Sequence, residues 1–328
     1  MIRIAFAGAG GIAQRHAEAI ASLEGAKLTA VVDIAKEKAT DLASRYDAEA
    51  YDTLEACLPH ADLVYVLTPP STHRELTLEA VEAGKHVVVE KPIAIEIADA
   101  EAMVDAAAQA GVKLMVAFNM RFRTGFRRLK QAVDSGALGE PLQWWSQRMG
   151  LGVGPGPNWR TTPGLLCGMS IESLSHDIDL MRWMAGDVVE VRAVTLASRP
   201  DLPDFDDNAG AVFTLRRGGI GVIHASWSSH LGMNSRGVVG TEGTARVAGG
   251  GLWDLDRFHL KTTSMPHETI EVLNDKLDVK SYREESRHFI NCVARDRQPM
   301  VTGKDGLAAL RISHAMLTSQ REGTVVAL

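Results

Sequence analysis

Two rhythms of apolar and polar positions run along the chain, and the change from one to the other divides it. In the first third, short apolar runs alternate with amphipathic stretches. Residues 2–7 (IRIAFA) read as a buried strand, and Ile12, His16, Ile20 and Leu23 then fall at helical spacing. Residues 27–33 (KLTAVVD) form a β-branched run, and 35–46 (AKEKATDLASRY) return to a helical pattern. Residues 62–68 (DLVYVLT) predict another buried strand, with Ser71 and Thr72 as capping candidates for a helix over 73–83. A strand over 86–90, a helix over about 97–110 stopped by Gly111, and a strand over 112–118 complete the series. Strands that alternate with helices predict a parallel, doubly wound sheet, an α/β Rossmann architecture.

Beyond residue 121 strands follow strands. A basic helix over 121–135 ends at Gly136, and long strand-like segments follow at 142–149, 188–196, 211–216, 220–227, 236–240 and 244–248. Tight turns such as Thr241-Glu242-Gly243 suit an antiparallel sheet. A clear helix is expected over 171–185, and two more over 282–295 and 304–321. The expected division is a dinucleotide-binding domain over 1–120 and an α+β domain with an open, mostly antiparallel sheet over 121–328, serving substrate binding and oligomerisation.

Composition narrows the function classes. The 328 residues are 45% hydrophobic and 23% charged, the balance of a folded globular protein. A formal charge of −6 argues against nucleic acid or an anionic membrane as the main partner. Cys57, Cys167 and Cys292 are far apart and suit reduced thiols, with no metal site expected. Met1 leads straight into the first strand without a basic-then-apolar leader, so a cytoplasmic address is expected.

Candidate chemistry clusters at strand ends. Gly8-x-Gly10-Gly11-Ile12-Ala13 has the G-x-G-x-x-G/A form at a strand-to-helix junction. Its first glycine makes the turn, the second admits a pyrophosphate, and the small third residue lets helix pack on strand. Asp33, at the end of the second strand, suits the adenosine ribose hydroxyls and repels a 2′-phosphate, so NAD is expected over NADP. Thr68, Pro69, His73, Glu90, Lys91 and Asn119 stand at the other strand ends and are expected to border the cofactor. By position His73 opens a helix, which suits a structural or capping histidine. Lys91, a cation ending an apolar run, needs a partner or a task.

In the second part, Glu172, His176, Asp179 and Trp183 fall on one face of the helix expected over 171–185, opposite Ile171, Leu174, Ile178 and Met181. A solvated face is one reading. The other is a general base, since a carboxylate four residues before a histidine can fix its tautomer. The glycine- and proline-rich segment 150–164 carries Trp159 and Arg160 and is expected to face substrate. Asn119 and Arg121 are placed to line the cleft, and Trp145 and Arg148 are further candidates for a sugar pocket. The remaining basic residues, Arg123, Arg127, Arg128 and Lys130, suit a solvated helix face with local ion pairs.

These motifs together resemble the Gfo/Idh/MocA oxidoreductase family: the glycine loop, Thr68-Pro69-Pro70 with His73, Glu90-Lys91-Pro92, Asn119-Met120-Arg121-Phe122, His176-x-x-Asp179 and Gly240-Thr241-Glu242-Gly243. The resemblance spans essentially the whole chain. It implies an NAD-dependent dehydrogenase of sugars, inositols or related polyols, with Lys91 and His176 catalytic and residue 172 in support. Many members carry Asp where this chain has Glu172. The resemblance also implies a homodimer or homotetramer joined through the exposed face of the second sheet. Two other readings belong to the same fold, an NAD-assisted glycoside hydrolase and a non-catalytic sensor of nucleotide or sugar. A sensor would have lost Lys91 or His176, and both are present.

Overall fold

The computed structural model describes residues 1–152, 159–162, 165, 167–275 and 279–328. They form two compact units, one of residues 1–119 and 279–310, the other of 120–278 and 311–328. The chain changes unit at residue 119, close to the expected boundary. It does not stay in the second unit, however, because 279–310 belong to the first.

The first unit follows the α/β rhythm: β1 (Ile2–Ala7), α1 (Gly11–Ala21), β2 (Ala26–Val32), α2 (Lys36–Arg45), β3 (Glu49–Tyr51), α3 (Leu54–Cys57), β4 (Leu63–Val66), α4 (His73–Glu82), β5 (His86–Val89), α5 (Ile97–Gln109) and β6 (Leu114–Val116). All neighbours pair in parallel, in the order β3-β2-β1-β4-β5-β6. Runs such as Leu63–Val66 and Val87–Val89 are buried throughout because helices cover both faces of such a sheet. The order reverses between β1 and β4, so the carboxyl ends of these two strands flank the switch point where α/β sheets bind ligands.

The second unit begins with α6 (Thr124–Asp134), β7 (Pro141–Leu151), α7 (Gly168–Glu172), α8 (Ser175–Ala185), β8 (Val188–Leu196), β9 (Asn208–Leu215) and β10 (Ile220–Ser226). It continues with β11 (Ser228–Gly240), β12 (Gly243–Gly249), β13 (Leu255–Thr262) and β14 (Thr269–Asp275). After α9 (Val279–Ala294) and α10 (Gly303–Glu322), the short β15 (Val326–Ala327) returns to this sheet. The nine strands run β14-β13-β12-β11-β7-β10-β9-β8-β15, antiparallel except where β10 lies parallel to β7. The sheet is therefore mixed and mostly antiparallel, as expected. Helix α8 packs on β7, and α6 on β11 to β14. The opposite face exposes Val194, Leu196, Val212 and Ile220.

Four strands escape the sequence pattern: β3, β13, β14 and β15. In β13 (LDRFHLKT) only Leu255, Phe258, His259 and Thr262 are buried, an irregular set that blurs the period of two. The helix expected over 171–185 is two helices. The chain bends at Ser173 and Leu174, where both backbone amides donate to the Met169 carbonyl.

Helix α9 packs on α1, around a buried polar group. His16 meets the rings of Tyr65 and Tyr282 at 5.3 and 5.1 Å between centroids, and its Nε2 lies 3.1 Å from Glu90 Oε1. Glu285 of α9 has no exposed surface, and neither carboxyl oxygen has a hydrogen-bond partner among the described residues. Burial, reinforced by the Glu90 charge, raises its carboxyl well above the ordinary range. The folded state thus favours the neutral acid, while the unfolded chain ionises at the usual pH. Stability is full below the unfolded value and declines as pH rises above it. Glu285→Gln, a neutral isostere, should therefore raise the unfolding midpoint at pH 8 by several degrees, with the gain closing near pH 4. Thermal melts of both proteins across this range check it, and a pH-independent difference would contradict the assignment.

Candidate active site

The glycine loop is shaped by one close approach. Gly8 has φ +109°, and a β-carbon there would stand 2.7 Å from the Leu67 carbonyl oxygen, so the loop passes directly against the end of β4. Gly10 and Gly11 behave differently, for a β-carbon at either would meet nothing within 4 Å. They leave space at the start of α1, where no side chain caps the helix and no acidic residue lies in the first turn. Open backbone amides at a helix N-terminus suit a pyrophosphate. Ala13 is fully buried, the tight packing its position requires, whereas Ile12 is partly exposed.

Asp33 is part of the same loop. One carboxylate oxygen accepts from the Ala9 amide at 2.7 Å and the other from the Ala35 amide at 2.8 Å. These bonds orient the carboxylate while leaving it half-exposed. Ile34 beside it is fully exposed. Open glycines, a free helix start and an oriented carboxylate fit a dinucleotide.

Across the switch point, Thr68 and Pro69 are partly exposed at the end of β4. Thr72 Oγ1 donates to Thr68 Oγ1 and to the Pro69 carbonyl, so Thr72 braces the turn and makes no side-chain helix cap. His73 lies beneath, fully buried. Its Nδ1 faces the Pro92 and Ile93 carbonyls at 3.0 and 3.3 Å, and its Nε2 faces the Thr68 carbonyl at 2.9 Å. Burial lowers its pKa, against the pull of these carbonyls and Glu90. Both ring nitrogens are therefore engaged with the main chain. His73 joins the Thr68 turn to the segment after Lys91, and any effect on a cofactor passes through those two segments.

Lys91 follows β5, partly exposed. Glu90, 8% exposed, uses one oxygen on His16 and accepts the Lys91 amide with the other at 3.0 Å. The carboxylate therefore fixes the backbone from which Lys91 projects. Asn119 is buried and hydrogen-bonds Tyr282 of α9.

In the second unit the charged face, open to a solvated or a catalytic reading, is buried: Glu172, His176 and Asp179 are 4%, 6% and 0% exposed. The bend at Ser173 puts Glu172 on α7 and His176 on α8, so helical spacing does not relate them. Asp206 fixes α7, its carboxylate accepting from the Ser170 amide at 3.0 Å and from Ser170 Oγ at 2.6 Å. Burial lifts its carboxyl to about 6. Glu172 pairs with Arg160 at 3.0 Å, and the Arg160 guanidinium lies 4.4 Å over the Trp159 ring. Of the expected substrate-facing segment 150–164, residues 150–152 and 159–162 are described, Gly150 and Leu151 as the end of β7, and 153–158, 163 and 164 lie outside the described residues.

Arg121 makes two bonds to Asp179, at 2.8 and 2.6 Å, and lies over Trp183. Arg123 is 2% exposed and pairs with Asp275. Arg123 differs from the solvated basic face expected around it, because an acidic partner from another element draws it inward. Arg128 and Lys130, paired with Glu271 and Asp134, match it. Trp145 and Arg148 lie on opposite faces of β7, as odd and even positions must. Trp145 donates to Ser235 at 3.4 Å, while Arg148 is turned to the α8 side.

Sequence reasoning missed Asp177, the residue after His176. It is wholly buried, with Arg236 Nε at 2.6 Å, Arg148 Nη2 at 2.9 Å and Ser146 Oγ at 2.7 Å. Burial alone would raise this carboxyl, but the two guanidiniums hold it below its ordinary value. One signal was present in the chain: Ser146, Arg148 and Arg236 occupy strand positions whose alternation points them inward. Among the described residues no group of three His, Cys, Asp or Glu is placed to hold a metal ion.

Residues 2–118 match the profile of an oxidoreductase family with an NAD-binding Rossmann fold, and 126–246 match the Gfo/Idh/MocA C-terminal domain. The chain belongs to the Gfo/Idh/MocA oxidoreductase family. Within the family it is 28% identical to a scyllo-inositol 2-dehydrogenase (NAD(+)) of Bacillus subtilis, across 100% of this chain and 96% of that one. It is 30% identical to a D-xylose 1-dehydrogenase [NADP(+)] of Haloarcula marismortui, across 90% and 85%. The crystal structure of an aldose-aldose oxidoreductase from Caulobacter crescentus, complexed with glycerol, superposes with a TM-score of 0.87 at 28% identity, covering 100% and 99%.

Proposed function

We propose that this family member is an NAD-dependent dehydrogenase acting on a CH–OH group of a sugar, an inositol or a related polyol. The observation that carries the reading is the match to both family domains in a chain that keeps Lys91 at the carboxyl end of β5 and His176 in the first turn of α8. The relatives act on inositols and aldoses by name, and they divide between NAD and NADP. Asp33, half-exposed and oriented by two amides, favours NAD.

The nicotinamide, when bound, supplies the hydride acceptor or donor. His176 takes the hydroxyl proton as the carbinol is oxidised, and Lys91 donates a hydrogen bond to the same oxygen as negative charge develops there. Glu172, with Arg160 against it, borders the substrate, as do Trp159, Asn119 and Arg121. Retention of both Lys91 and His176 speaks against the sensor reading. We place the enzyme in the cytoplasm, as a dimer or tetramer. Three cysteines far apart in the sequence and the apolar outer positions Val194, Leu196 and Val212 support that placement and assembly. No helix among the described residues is long and apolar enough to cross a membrane.

Three measurements test this reading. Asp33→Ser should raise affinity for NADPH relative to NADH by about 10–100-fold. A wild-type protein that already binds NADPH at least as tightly as NADH contradicts the NAD assignment. A screen of sugars, inositols and hydroxy acids for NADH formation should identify a substrate. With it, Lys91→Ala and His176→Ala should each lower kcat by roughly 10²–10⁴ while NADH affinity stays near wild type. The double variant should lose much less than the product of the two. Near-wild-type turnover in either single variant would move the protein to the sensor class. Light scattering at micromolar concentration should show a dimer or tetramer, and Val212→Glu should shift it toward monomer. A monomeric wild type removes the assembly claim.

A further inference from the structure

One guanidinium touches the chain on both sides of His176. Arg148 projects from β7 and is 1% exposed. Its Nη2 donates to the Ser173 carbonyl at 3.1 Å and to Ser173 Oγ at 2.8 Å, three residues before the histidine. The same nitrogen lies 2.9 Å from Asp177, the residue after it. The plane of the group stands over the Trp253 ring, with Cζ 4.6 Å from the centroid. Trp253 in turn meets the His176 ring edge-on, at 6.3 Å between centroids and 79° between planes. The Trp253 backbone is anchored separately, its carbonyl accepting from Arg123 Nη1 at 2.6 Å.

We infer that Arg148 is a positioning residue for His176, fixing the turn that carries the imidazole and the indole wall beside it. The inference rests on His176 being the base of the proposed reaction. Neutralising Asp177 is one part of this role, since Arg236 and Ser146 meet Oδ1 while Arg148 faces Oδ2, but it requires neither the bonds to Ser173 nor the stack on Trp253. Among the described residues Arg148 alone joins three things, the bend at Ser173, the first turn of α8 and the face of Trp253. The stack on Trp253 requires a planar cation. A lysine ammonium is a point charge that cannot lie flat on an indole. Between α7 and α8 the chain is held locally by the Ser175 hydroxyl on the Glu172 carbonyl, and Arg148 adds a hold on the same turn from β7. A base displaced by about 1 Å loses roughly 10²-fold in rate, which sets the scale of what Arg148 protects.

The test uses the full chain with NADH bound, and Arg148→Lys and Arg148→Met as variants. The imidazole signals of His176 are assigned in a ¹⁵N-histidine spectrum by their loss in His176→Asn. Arg148→Lys keeps the charge, so a moved or broadened His176 signal in that variant reports altered geometry. That outcome is expected, with NADH affinity and the unfolding midpoint near wild type. With a substrate from the polyol screen, kcat should fall by about 10–100-fold in Arg148→Met and by less in Arg148→Lys, while KM changes little. A wild-type His176 signal and wild-type kcat in Arg148→Lys would overturn the inference. If Arg148→Met fails to fold, the lysine variant still decides. If the wild type oxidises no polyol, the proposed reaction fails by itself, and the spectrum still reports whether Arg148 sets His176.

Discussion

Removing a carboxylate from water costs several kcal/mol unless charges and hydrogen bonds meet it on every side, and much of the second unit is arranged to meet Asp177. Three strand residues are turned inward toward it, Ser146 and Arg148 from β7 and Arg236 from β11, where alternation would otherwise demand apolar side chains. These strands pair along most of their length, so the arginines arrive from a rigid surface. Arg236 is steadied by Asn234 on its own strand, and Arg148 by Trp253. His176 is the neighbour of this carboxylate, and its position follows from the pairing.

The first unit treats its buried carboxylates less evenly. Glu90 is met by His16 and by the Lys91 amide, and Asp33 by two amides of its own loops. Among the described residues Glu285 has no hydrogen-bond partner, and burial raises its carboxyl well above the ordinary range. Two solutions to one problem thus coexist in one chain. Carboxylates at the strand ends that carry the candidate chemistry are oriented by hydrogen bonds, while the one on α9 is pushed toward its neutral form.

Whatever depends on a strict period or a local motif could be read in the sequence. The six-strand parallel sheet, apart from β3, is visible as apolar runs, and the glycine loop, Asp33 and Lys91 stand at strand ends because strand ends were legible. Long-range partners could not be read that way. Arg123 looked like part of a solvated basic face until Asp275, 152 residues away, was brought to it, and nothing near Arg121 announced Asp179, 58 residues on. The bend at Ser173 was hidden for a similar reason. Residues 171–185 keep a helical apolar stripe across it, and the break depends on Asp206 fixing α7 from a distant loop. Asp177 went unnoticed because one Asp on a helix carries no pattern until its arginines are known.

The return of residues 279–310 to the first unit bears on how the chain is made. His16, on α1, is met by Tyr65 on one side and by Tyr282 of α9 on another. On a ribosome residues 1–119 emerge before the second unit, yet they cannot complete their core until residues 279–310 have left the exit tunnel. Meanwhile the strands of the second unit can pair among themselves. Such long sequence separation slows closure and leaves apolar surface on α1 uncovered during synthesis. The nucleotide-binding half, begun before the second unit, therefore waits for a segment made after most of that unit.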